Sequence, residues 1–529
     1  MHKYIYITIP LAIVILVTLV YGFSPGKKRE FDSQNSSSLK ASTITLAKLR
    51  EHISFLSSDK LGGRVVGSPG FKAAADYAVR QFKEADLKPL IPSNGPGKTL
   101  SYLQEVPFIR KRFSVTKPMV TRTPEGEAEF TYEKSFKMLF YGGNNSPGKP
   151  LPVVFAGYGI DEEEHGWNDY KNLDLKGKVI VILPGAPVRD GKPVLPPEMH
   201  EKYIHKDKGF DKKFSALIKH RPAAILLVHS DRYSREWSKV RDLTRRTQLE
   251  SATKENKKKS LFPDIFVVKR DVVESLFKNR DASPLNIENN GTGGYKTFEI
   301  KNAEIVLNYN VLEEEILSWN VAGMVKGSDP ELAKEYIAVG AHLDHLPPRN
   351  GEICNGADDN ASGSSGLLEI AEAVAMKPPR RPVIFILYTA EEWGLKGSSY
   401  FVKNCPVPTA KIRANINMDM IGRTNPKFMK NRAQYVVGYE KDWQDLKQVV
   451  NRVNRKTVQW PLMFVEQENI YGNSDHTSFH NAGIPAVNFW NGRHEDWHKP
   501  SDTVEKIDFE KAQKLSQLVY YITMELGTL

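Results

Sequence analysis

Residues 339–363 read VGAHLDHLPPRNGEICNGADDNASG. The stretch opens as the end of an apolar strand (336–339, YIAV), delivers His342 and Asp344, then crosses a Gly- and Asn-rich loop to Asp358-Asp359-Asn360. Nothing in it is built for packing. A His-x-Asp at a strand end can supply an imidazole ligand together with a carboxylate that orients it, and an Asp after a short loop can supply a shared anionic ligand. Such a half-site needs partners elsewhere in the chain.

Downstream of residue 317, strands and helices alternate. The runs 336–340, 383–389, 414–418 and 484–489 are short and apolar without clean alternation, while 366–375, 394–403, 442–453 and 510–526 carry helical spacing. Strands apolar on both sides and separated by helices imply a mostly parallel, doubly wound α/β sheet flanked by helices. In such a sheet the ligand site lies beyond the carboxyl ends of the strands. The first strand ends in His342 and Asp344, the second in Glu391-Glu392, the third in Asp419, and the fourth is followed by Asp496-Trp497-His498. Candidate ligands are therefore His342, Asp359, Glu392, Asp419 and His498, a nitrogen and oxygen set suited to a pair of Zn²⁺ ions, with Mn²⁺ or Co²⁺ as substitutes. Each piece alone is weak, since an Asp after a strand is commonly a helix N-cap. Their convergence on one set of strand ends carries the reading.

Upstream, Leu46, Leu49, Ile53 and Leu56 recur at helical spacing, 59–69 (DKLGGRVVGSP) reads as a loop, and 70–85 resumes a helix with Ala74, Tyr77, Ala78 and Phe82 on one side. From about residue 113 to 309 the texture is short β runs and turns, including 178–183 (KVIVIL) and 223–229 (AAILLVH). The expected organisation is a signal peptide or signal anchor at 1–23, a linker at 24–43, the first part of the site-bearing domain at 44–110, a β-rich insert at 111–312 and the main part at 313–529. A chain of 529 residues is too long for one core.

The chain is 40% hydrophobic and 26% charged, the composition of a globular protein. Its net charge of +11 comes from scattered lysines and arginines with no recognition motif, so no nucleic-acid partner is expected. Residues 4–23 are an uncharged apolar run long enough to span a bilayer, which predicts membrane attachment if uncleaved and an extracytoplasmic location. Cys354 and Cys405 are read as free thiols, a bridge between them being unsupported.

The strings AHLDH, GADDNASG, TAEEWGLKGS, NMDMIG, SDHTSF and WHKPSDT, in that order, resemble the zinc aminopeptidase family of co-catalytic metallopeptidases, whose relatives include glutamate carboxypeptidases and glutaminyl cyclases. The resemblance covers about residues 46–90 and 317–529. It implies the phosphorylase/hydrolase-like zinc peptidase fold and peptide substrates. His342 and Asp419 would hold one zinc ion, Glu392 and His498 the other, and Asp359 would bridge them. Asp344 would orient His342, and Glu391 would be the general base. Asp475 and His476 would wall the substrate pocket, with a hydrogen-bonded structural loop as the competing reading. The segment 155–185 (FAGYGIDEEEHGWNDYKNLDLKGKVIVILPG) is similar to a protease-associated domain, expected to shape access to the cleft. The implied activity is removal of N-terminal residues from peptides. A carboxypeptidase of the same scaffold, a glutaminyl cyclase-like acyltransferase and a non-catalytic binding protein are the alternatives. Retention of GADDNASG and AEEWG favours hydrolysis over cyclisation, and the complete ligand set disfavours a non-catalytic role.

Overall fold

The computed structural model describes residues 41–93, 99–143, 147–189, 192–204, 208–230, 234, 236–240, 242–245, 247–252, 262–278, 297–424, 432–439, 443–467 and 473–529. The apolar run 4–23 and most of the expected linker lie outside them. Among the described residues no helix is long and apolar enough to cross a membrane.

Two capped helices begin the described chain. In α1 (Leu46–Leu56), Thr45 accepts from the Lys48 N–H, and Leu49, Ile53 and Leu56 are buried. In α2 (Pro69–Glu84), Ser68 caps the N–H of Phe71, with Pro69 supplying the fixed φ favoured at a first helical position. The strands β1 (Leu103–Ser114), β2 (Gln248–Ser251), β3 (Asn310–Val325), β4 (Tyr336–His342), β5 (Val383–Tyr388), β6 (Ile412–Asp419), β7 (Gln434–Gly438), β8 (Leu462–Glu466) and β9 (Ala486–Trp490) form one sheet in the order β2-β1-β3-β5-β4-β6-β9-β7-β8, with Lys88–Pro89 added against β3. Its centre, β5-β4-β6-β9, is parallel, and antiparallel β3 and β7 flank it. Those four central strands are the ones the apolar runs predict.

Both faces are covered, as a parallel sheet requires. On one face α1, α2, α3 (Gly363–Met376), α4 (Trp443–Lys456) and α5 (Phe509–Thr528) pack against Val339, Phe385, Ile416 and Phe489. On the other, Phe401 and Phe479 pack against Ile384, Ile386 and Tyr388.

Between β1 and β3 the chain builds a second sheet of eight strands with its own core around Val153, Val181, Leu226 and Phe266. Four of these strands, Pro150–Phe155, Val179–Ile182, Ala224–Val228 and Asp264–Val268, are parallel to one another. The expected boundaries at 110/111 and 312/313 fall inside a continuous antiparallel ladder from Leu103↔Val321 to Ser114↔Asn310. The intervening chain also returns to the main sheet, where β2 pairs with β1.

Candidate metal centre

Because the four central strands run parallel, their carboxyl ends share one edge. There β4 delivers His342, β6 ends at Asp419, and the segment after β5 carries Glu391 and Glu392. Asp359 arrives on an irregular helical turn, 357–362, whose Asp359–Asn360 peptide is cis. Side chains hold this turn. The Asp502 carboxylate accepts the N–H groups of Asp358 and Asp359, both at 3.1 Å. Asp358 accepts the Gly422 N–H at 2.7 Å and faces Asn491 and His494 at 3.0 and 3.2 Å. Asn360 donates to the Met418 carbonyl at 2.8 Å, fastening the turn to the end of β6. Gly356 precedes it at φ +56°, and a Cβ there would lie 2.1 Å from the Asp359 carbonyl oxygen and 2.6 Å from the His345 ring.

The five candidate ligands converge. His342 Nε2 lies 3.3 Å from Asp359 Oδ1 and 3.3 Å from Asp419 Oδ1. His498 Nε2 lies 3.2 Å from Asp359 Oδ2 and 3.1 Å from Glu392 Oε2. The two oxygens of Asp359 thus face different imidazoles, each with a further carboxylate beside it. Burial opposes ionisation of Asp359, but the bonds to His342 and His498 outweigh it and hold the carboxyl well below the usual range. Glu391 is the opposite case. Burial pushes it well above the usual range, the charge of His342 resists, and neighbouring Asp419 and Glu392 add to the rise.

Two sequence expectations need correction. The carboxylate of Asp344 does not orient His342. The ring Nδ1 of His342 donates to the main-chain carbonyl of Asp344 at 3.1 Å, which leaves Nε2 for a ligand role. The Asp344 carboxylate accepts the Glu391 N–H at 3.0 Å and so positions the segment bearing both glutamates. Burial pushes Asp344 up to about 7. Asp475 and His476 also differ from expectation: both are fully buried, and neither lines the cleft beside the centre. Their neighbours Asn473 and Ser474 do, while His476 sits behind Gln467, 2.9 Å from its Oε1. Burial pulls His476 down to about 3, and Asp475 is pushed up to about 7.

Two residues enter that the sequence reading left aside. His345 is buried with its Nδ1 2.8 Å from Glu392 Oε1 and 4.0 Å from Asp359 Oδ1. The signal was its place in the AHLDH string. Arg64, from the loop before α2, is fully buried beneath the stretch 339–363 and donates to its main chain.

His342, Asp359 and Asp419 form one group able to hold a cation, and His345, Asp359 and Glu392 a second. The fit to zinc rests on the donors themselves: imidazole nitrogens and carboxylate oxygens, largely buried, with His345 Nε2 lacking a hydrogen-bond partner among the described residues. A cleft of about 640 Å³ opens from the centre, lined by Asp359, Glu391, Glu392, Asp419 and His498, with Met420, Val437 and Trp490 as apolar wall.

Residues 320–523 match Peptidase family M28. Aminopeptidase YwaD of Bacillus subtilis is 32% identical over 212 residues, 38% of this chain and 43% of that protein. Leupeptin-inactivating enzyme 1 of Streptomyces exfoliatus is 32% identical over 194 residues, 36% of this chain and 39% of that protein. The matched region thus spans less than half the length of these relatives. Among solved structures, an aminopeptidase from Aneurinibacillus sp. strain AM-1 superposes with a TM-score of 0.57 at 18% identity, covering 92% of this chain and 95% of that one. The zinc aminopeptidase of Bacillus subtilis gives 0.52 at 20% identity, covering 91% and 95%. These likenesses show that the fold is shared across nearly the whole chain. The family match thus falls on the site-bearing region, residues 320–523, whose motifs resemble those of zinc aminopeptidases.

Proposed function

We propose that this protein is a zinc-dependent exopeptidase that removes N-terminal residues from peptides outside the cytoplasm. The observation that carries the proposal is the double-faced carboxylate of Asp359, with His342 and Asp419 on one side and His498 and Glu392 on the other. His342 and Asp419 would hold one zinc ion, Glu392 and His498 a second, and Asp359 would be shared. Bound there, the ions supply Lewis acidity toward the scissile carbonyl and activate water at neutral pH.

The remaining work falls to the chain. Glu391 lines the cleft beside the ligands, and its raised proton affinity suits it to take a proton from the attacking water and return it to the leaving amine. Its placement depends on Asp344, which fixes its N–H. His345 and His498 counter the burial cost of Glu392 and keep that carboxyl ionised. Glu391 and Asp419 present carboxyl oxygens where a substrate ammonium would enter, and Met420, Val437 and Trp490 offer apolar surface to the first side chain. The insert expected at 111–312, whose segment 155–185 is similar to a protease-associated domain, would border the approach.

The test pairs metal analysis with a substrate panel. Two zinc ions per chain and cleavage of free-amine aminoacyl substrates, with N-acetylated counterparts resistant, are expected. Equal cleavage of blocked substrates, or cyclisation of an N-terminal glutaminyl peptide without hydrolysis, refutes the assignment.

A further inference from the structure

A second cleft, about 910 Å³, lies between the inserted sheet and the site-bearing sheet. It reaches Glu392 and His498, which also line the first cleft, so the two meet at these side chains. Glu391, Asp359 and Asp419 line only the first. The walls of the second cleft are mixed: Tyr141 and Leu249 on one side and Pro348 and Trp393 on the other are apolar, while Glu250, Arg349 and Lys396 bring charge, and Arg349 donates to the His498 carbonyl at 3.3 Å.

Lys396 stands among them. It follows Glu392 by one tight turn, in which its N–H donates to the Ala390 carbonyl at 3.0 Å and the N–H of Leu395 to that of Glu391. Its ammonium has no hydrogen bond or ion pair among the described residues, and burial lowers its proton affinity. Glu250, the acid that resists this lowering, is itself engaged by Lys111 at 2.8 Å. The indole N–H of Trp393 in the same wall also lacks an acceptor among the described residues. A half-buried cation without a hydrogen bond or ion pair and a buried donor without an acceptor are both costly unless a ligand supplies an anion or an acceptor.

We propose that the second cleft receives the leaving side of the substrate, and that Lys396 binds a carboxylate there. The carboxylate is either the C-terminus of a short peptide or an acidic side chain just beyond the scissile bond. This rests on the aminopeptidase reading: an N-terminus placed among Glu391 and Asp419 ends in the first cleft, so the rest of the peptide leaves past Glu392 and His498. Lys396 is a specificity-determining residue, and it takes no part in proton transfer.

The experiment measures kcat/KM for three substrates sharing one N-terminal residue: an aminoacyl-glycine with a free carboxylate, the same compound as its amide, and an aminoacyl-aspartyl amide. The native protein is expected to favour a carboxylate-bearing substrate over the glycinamide by about 10-fold, the worth of one charge-assisted bond. In Lys396→Met that ratio falls to about 1, and Lys396→Glu turns preference toward an aminoacyl-lysyl amide. Loss confined to the free dipeptide assigns the C-terminal carboxylate, and loss confined to the aspartyl amide assigns the side chain. A native ratio near 1, or a ratio that Lys396→Met leaves unchanged, overturns the proposal, since a purely structural lysine scales all three substrates together. Failure of the native protein to cleave any of them refutes the aminopeptidase reading itself.

Discussion

Arg64→Met is the substitution whose consequence the structure defines most fully. The native guanidinium is 1% exposed and donates through Nε to the Leu343 carbonyl at 2.8 Å, through Nη1 to Leu56 and to Asn355 at 2.7 Å, and through Nη2 to Gly356 at 3.0 Å. It therefore fastens the end of α1 to both limbs of the stretch 339–363, one limb leading from His342 and the other to Asp359. Burial pulls its pKa down to about 10, against the charges of Asp359, Asp344, Asp502 and Glu392. Methionine keeps the apolar stem and removes the fork. Each carbonyl left without a partner costs about 1–3 kcal/mol, but water entry and relief of the buried charge recover part of that sum. Removing one side of a buried charged network costs about 3–5 kcal/mol, which is the net loss expected here. At about 2–4 °C per kcal/mol for a domain of this size, the unfolding midpoint should fall by about 10 °C. Zinc retention should weaken with it, because the two limbs carry ligands that must meet. Thermal unfolding by circular dichroism, with zinc content measured after dialysis, reads both. A midpoint within about 2 °C of the native protein and undiminished zinc content would show that Arg64 merely fills space.

Glu391→Gln should keep its metal and lose turnover by about 10²–10⁴-fold, the usual worth of a general base; near-native kcat refutes that role. His345→Phe removes the imidazole 2.8 Å from Glu392 Oε1 and should speed zinc release to a chelator by about 10-fold, as loss of a ligand's supporting partner does; identical release curves would contradict it. Lys213, whose Nζ donates to the carbonyls of Leu183 at 2.8 Å and Gly185 at 2.6 Å, is pulled by burial down to about 7. That lies below the unfolded value of about 10.4, so between the two pH values the unfolded chain binds the proton more tightly. Its cost to stability is full below pH 7 and fades as pH rises toward 10. Lys213→Met should flatten the rise of the unfolding midpoint over that window, and parallel pH profiles for the two proteins would refute the assignment.

The central strands are legible in sequence because each is apolar on both sides, so burial on two faces leaves no alternation to misread. The candidate ligands are legible for a linked reason: His342 and Asp419 end such strands and Glu392 follows one, where packing alone would favour another apolar residue. The pairing of β1 with β3 is hidden by its charges. Arg110 and Lys111 lie directly opposite Glu314 and Glu313 and pair with them at 3.3 Å, so the strands read as polar segments until the partner is known. Arg64 is hidden because its acceptors are main-chain carbonyls, one of them 292 residues away, and a carbonyl leaves no trace in a residue pattern. The spacing of His342 and Asp344 suggests a side-chain contact, whereas the turn brings the Asp344 carbonyl to the ring and sends its carboxylate to Glu391.

The same hidden pairing bears on the second cleft. An insert joined by two single strands of linker could swing, and the width between Tyr141 and Trp393 would then vary. Here both connections are one twelve-residue ladder, Leu103–Ser114 against Asn310–Val321, and β3 of that ladder also pairs with β5, whose following segment bears Glu391 and Glu392. The strand β2 adds a second attachment from within the insert and carries Glu250 to the cleft wall. Moving the insert would bend a paired sheet edge and break cross-strand ion pairs as well as backbone bonds, whereas a hinge needs only a few free dihedrals. The distance from Lys396 to the candidate metal ligands is therefore set by the sheet, which is what a fixed preference for a carboxylate at one position requires.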